Sequence, residues 1–184
     1  MLRGNIELWL AFITCVFIGA GYGLVLFQTR EIPAAGELLG HTLGIVGFIL
    51  MMLTETLYSI RKRSRRAALG RMSAWLKVHI YMGLVGPFMV LLHTSWKFYG
   101  LAGATTLLTV IIVVSGVIGR YIFTRIPRTL DGVEIEGALS QEALRRGRQF
   151  LALWHAVHIP IGMALFVSAF VHIGGALYYA TFLK

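Results

Sequence analysis

Four of the six histidines fall into two pairs of identical spacing. His79 and His93 bound the segment HIYMGLVGPFMVLLH, and His158 and His172 bound HIPIGMALFVSAFVH, with a spacing of fourteen residues in each pair. Imidazole is a metal ligand and a proton carrier, and here it sits in runs apolar enough for a membrane interior. A polar side chain is costly at that depth and is there for a reason. At about 100° per residue, fourteen residues fall only some 40° short of four full turns, so both members of a pair share one helix face. At ~1.5 Å per residue they stand about 21 Å apart along the axis. Each pair therefore offers one imidazole near each side of a bilayer core about 30 Å thick. Two imidazoles facing one another at two depths suit two flat macrocycles, and haem is the natural occupant. Zinc wants several donors converging on one point. A proton relay wants carboxylates along its path, and Glu55 is the only acidic residue well inside an apolar run. Structural histidines, hydrogen-bonded between helices, are the competing account, and for His41 alone the preferred one.

Other residues extend this reading. His155 lies three residues before His158 on the same flank, so it is an alternative inner ligand or a contact to a haem propionate or a quinone. Spacing favours His158. Gly83 and Gly162 each follow an inner ligand by four residues, where the lack of a side chain would let a porphyrin lie against the backbone. Gly86, Gly116, Gly119, Gly174 and Gly175 are compatible with similar relief, though glycine also serves ordinary packing in membrane helices. Pro87 and Pro160 are expected to kink their helices. Arg71, Lys77, Lys97 and Arg120 stand near the membrane faces, as propionate partners or as snorkelling interface residues. His41 and Glu37 form a candidate quinone site, because quinol oxidation needs a proton acceptor; helix capping would account for them equally.

The elements that must position these groups are membrane helices. Of 184 residues 57% are hydrophobic and only 14% charged, which excludes an ordinary soluble domain. Five windows satisfy the need for about 20 mainly apolar residues: Glu7–Gln28, Glu37–Ile60, Ser73–Trp96, Leu101–Phe123 and Gln149–Tyr179. The expected fold is an all-α membrane protein, a single five-helix haem-binding bundle over residues 1–184. The first apolar run is longer than a signal-peptide core and is read as a membrane helix. Cys15 is the only cysteine, so no disulfide framework, cysteine-held cluster or C-x-x-C-H haem attachment arises.

A net charge of +9 would suggest nucleic acid in a soluble protein, but its distribution argues for membrane orientation. With alternating crossings, fourteen of the seventeen basic residues fall on the side of the N-terminus, RKRSRR among them, and only Arg30, Lys97 and Lys184 on the other. The positive-inside rule then sets the N-terminus in the cytoplasm and the C-terminus outside, in the cell (inner) membrane. The third and fifth helices run parallel, so His79 meets His158 and His93 meets His172. GALSQEALRRGR, before the fifth window, reads as a short amphipathic helix opened by Ser140.

These paired histidines, with HTSWKF after the third-helix segment and a basic loop before the fifth, resemble the ferric-reductase-like and NADPH-oxidase-like family of di-haem transmembrane cytochromes b, over roughly residues 37–184. The resemblance implies two stacked b-type haems, with His79 and His158 holding the inner and His93 and His172 the outer. Members of that family commonly carry a sixth helix, and the oxidases a flavin and nicotinamide domain; no G-x-G-x-x-G fingerprint occurs here, so NADPH oxidation by this chain alone is not expected. The expected function is electron transfer across the membrane, between a quinone pool or cytoplasmic donor and a partner redox protein bearing flavin, iron–sulfur, cytochrome c or molybdenum. Two rivals remain: a self-contained ferric or quinone reductase, and a non-redox scaffold or transporter. Transport is disfavoured by the lack of internal repeats.

Overall fold

The computed structural model describes residues 5–63, 71–126 and 140–182. All regular structure among them is helical: α1 (Ile6–Thr29), α2 (Leu38–Arg63), α3 (Met72–His93), α4 (Gly100–Thr124) and α5 (Gln141–Phe182). All five are long and apolar enough to cross a membrane. Large apolar side chains stand outward along them, Phe17 at 73% exposure and Met163 at 65% among them. In water such faces would drive aggregation; against lipid they need no cover, because each helix bonds its own backbone. The chain is a multi-pass membrane protein in contact with lipid.

The helices form two compact units, α1 to α3 in one and α4 with α5 in the other. In the first unit, glycine sets how closely α2 and α3 approach. A Cβ on Gly47 would stand 2.8 Å from the carbonyl oxygen of Gly86, and one on Gly86 would stand 2.9 Å from that of Gly47. The backbones touch at this crossing, as small residues allow in membrane helices. Contacts pass from Gly44 against His93, through Gly47 against Gly86, to Thr54 against Gly83, so the two helices are antiparallel. On its other flank α3 runs parallel to α1, with Thr14 and Tyr81 hydroxyls bonded at 3.1 Å and Phe88 beside Gly19. Ala11, Tyr22, Leu43, Val85, Met89 and Leu92 form the core between the three.

α3 runs through the buried Pro87 as one helix and ends at His93, three residues short of the expected Trp96. Ser95 and Trp96 turn into the left-handed region, with φ of 50° and 62°. The buried Ser95 hydroxyl, donating to Pro33 O at 2.6 Å, ties this turn to the α1–α2 loop.

In the second unit α4 and α5 are antiparallel, with Ile126 against Gly147, Gly119 against Trp154, Ile112 against Gly162 and Thr105 against Ser168. α5 differs most from expectation. Its 42 residues are one unbroken helix through Pro160, rather than a membrane span preceded by a separate amphipathic helix. Of the stretch read as that helix, residues 137–139 lie outside the described residues. The Ser140 hydroxyl does cap the N-terminus, accepting from Ala143 N–H at 3.2 Å. Gly147, the natural place for a break, is instead braced by Ile126, which is only 3% exposed. At ~1.5 Å per residue the rod is about 63 Å long, twice a hydrocarbon core of about 30 Å.

Candidate functional site

α3 carries His79 and His93 on the face it turns to α2. His79 Nδ1 lies 3.0 Å from the carbonyl oxygen of Thr54, and the Tyr58 ring stands beside it at 4.9 Å between centroids. His93 Nδ1 lies 2.8 Å from the carbonyl oxygen of Gly40. A carbonyl only accepts, so in both rings Nδ1 carries the proton and donates it; in a neutral imidazole the lone pair would then be on Nε2. That tautomer is the one a metal ligand needs when its second nitrogen is anchored by a carbonyl. Gly44 makes the second anchor possible, since a Cβ there would lie 2.8 Å from His93 Nδ1.

In the second unit α5 carries His155, His158 and His172, and geometry separates the first two. His155 Nδ1 turns back to Leu151 O of its own helix at 2.9 Å. His158 Nδ1 reaches the Ser115 hydroxyl of α4 at 3.0 Å. Trp154 lies between them, its ring stacked on His158 at 4.6 Å and 29° and edge-on to His155 at 4.7 Å. The indole N–H donates to Ser115 O at 2.7 Å, and a Cβ on Gly119 would overlap the ring. His172 is half-buried, one turn beyond Ser168, whose hydroxyl bonds that of Thr105 at 2.6 Å.

Single imidazoles spaced along a helix, two of them with Nδ1 on a backbone carbonyl, are residues that could hold a haem iron. Among the described residues no three His, Cys, Asp or Glu side chains converge on one point.

The remaining candidates are placed as follows. Gly83 and Gly162 are not tight: a Cβ there would meet the Thr54 methyl at 3.4 Å and Ile112 Cδ1 at 3.8 Å, ordinary contacts. Tight glycines include Gly44, Gly47, Gly86 and Gly119, of which Gly86 receives a helix backbone and Gly119 an indole, and Gly40 and Gly103, each against the backbone of the loop before its helix. Gly116 lies 3.9 Å from His158 Cε1, while Gly174 and Gly175 face open space among the described residues. Arg71 occupies the N-cap position of α3; Lys77 and Lys97 are exposed and Arg120 half-buried. Glu37 Oε2 accepts from Ala34 N–H at 3.0 Å, stapling the turn into α2, and His41 is exposed. Sequence reasoning missed Gly44, Ser115 and Trp154. Their signal lay in the small-residue runs Gly40-x-x-x-Gly44-x-x-Gly47 on α2 and Ser115-Gly116-x-x-Gly119 on α4. No protein-family model, curated protein or solved structure matches this chain.

Proposed function

We propose that this protein is a membrane-embedded di-haem cytochrome b subunit, carrying electrons across the membrane between a quinone pool or cytoplasmic donor and a partner redox protein. The observation that carries the reading is the fourteen-residue spacing on both α3 and α5, together with the carbonyl-anchored Nδ1 atoms of His79 and His93. In this reading the equal spacing matches His79 to His158 and His93 to His172. Haem would supply a one-electron couple, and holding each one by two histidines would favour electron transfer over oxygen chemistry. The chain's own part would be to hold the Nδ1 atoms of His79, His93 and His158 by hydrogen bonds, to surround the imidazoles with a low dielectric, and to keep propionates near basic residues such as Arg71, Lys77, Lys97 and Arg120. The basic residues favour a cytoplasmic N-terminus and an outer C-terminus in the cell membrane. A quinone at Glu37 and His41 belongs to the same proposal; the exposure of both residues supports access, while the Glu37 bond to Ala34 serves the helix start.

The test is haem b per polypeptide in detergent-purified protein, by pyridine haemochrome and reduced-minus-oxidised spectra. Two haems are expected, with partial or complete loss in His93→Ala and His158→Ala. A folded, colourless protein would overturn the proposal and return all four histidines to packing.

A further inference from the structure

Among the anchored ligands, His79 and His93 rest on backbone carbonyls, which no substitution removes, whereas His158 rests on a side chain. Ser115 holds this part of α5 twice. Its carbonyl takes the Trp154 indole N–H at 2.7 Å, and its hydroxyl meets His158 Nδ1 at 3.0 Å. Trp154 lies in the notch left by Gly119 and stacks on the His158 ring, so the imidazole is fixed in tilt by the hydrogen bond and in rotation by the indole face. His155 differs: its Nδ1 is turned to Leu151 O of its own helix, and Trp154 meets its ring edge-on.

We infer that Ser115 is a positioning residue for His158 and sets the redox potential of the inner haem independently of the outer one. The inference rests on the di-haem reading. With iron on Nε2, the proton must sit on Nδ1, and the Ser115 hydroxyl oxygen accepts it in a hydrogen bond. An acceptor at Nδ1 draws the proton away and makes the imidazole a stronger electron donor, which stabilises ferric over ferrous iron. Ser115 therefore lowers the midpoint of the haem that His158 ligates. The contact to Trp154 goes through the backbone carbonyl and survives removal of the hydroxyl, so the two holds are experimentally separable.

The experiment is a potentiometric titration of the full chain in detergent, followed at the haem α-band, for wild type, Ser115→Ala and Ser115→Thr, with haem content measured in each. In Ser115→Ala one of two midpoints rises and the other stays, while Ser115→Thr, which keeps a hydroxyl, titrates like wild type. The moving wave is the one that survives in His172→Ala. Loss of one haem in Ser115→Ala, with both kept in Ser115→Thr, also supports the role, since the ligand then depends on the hydroxyl. Two haems whose midpoints both ignore Ser115→Ala, or both move alike, overturn the inference and leave the cytochrome intact. A wild-type chain without haem overturns the function and the inference together.

Discussion

Two neighbouring histidines of one helix are told apart by where their Nδ1 atoms go. His155 bonds the preceding turn of α5 at Leu151, whereas His158 reaches across to α4 at Ser115. His155→Ala is therefore expected to keep the wild-type haem content and His158→Ala to lose at least one haem per chain, both read by pyridine haemochrome. The opposite pattern would make His155 the inner ligand. On α3 the ring of His93 depends on a missing side chain. A methyl at Gly44 would stand 2.8 Å from Nδ1, nearer than real Cβ contacts come, so the ring must move off the Gly40 carbonyl. Gly44→Ala is expected to lower haem content or broaden one α-band in low-temperature spectra, while Gly21→Ala, with nothing within 4 Å, leaves the spectrum unchanged.

Helix packing explains why the five spans were legible in the sequence and several of their details were not. An apolar run of about 20 residues suffices to announce a span, but a boundary depends on neighbours. α3 stops at His93 because Ser95 and Trp96 adopt a left-handed turn that neither residue advertises, tied down by Pro33 some sixty positions earlier. α5 runs on through Gly147 because Ile126 braces it. The histidines were visible by spacing alone, whereas Ser115 and Trp154 acquire their roles only through the antiparallel register of α4 on α5. Where backbones touch, size is decisive. Gly47→Leu or Gly86→Leu forces α2 and α3 apart, and overpacking of this kind costs about 1–3 kcal/mol. A lower thermal midpoint in detergent is expected for each, and an unchanged one would mean that the crossing is not close-packed. Ser140→Ala removes the α5 cap and costs on the order of 1 kcal/mol, confined to that helix end and read as faster amide exchange there.

At the scale of the whole molecule, the proposed orientation rests on charge. If the N-terminus lies inside as proposed, reporter fusions at the two termini are expected to give opposite signals, and neutralising Arg61, Lys62, Arg63, Arg65 and Arg66 together is expected to produce mixed insertion. Identical signals at both ends would contradict five crossings. The length of α5 also bears on the proposed electron transfer. From Gln141 at the capped tip to His158 is seventeen residue steps of continuous helix, about 25 Å at the α-helical rise. A donor that grasped only the tip would hold its redox group a long stride from the inner imidazole. In the proposed di-haem reading this end of α5 would be a stand-off as much as a handle, keeping casual encounters at arm's length and favouring a donor shaped to lie along the rod, past Arg148 and Ala152, down to the level where Trp154 stacks on His158.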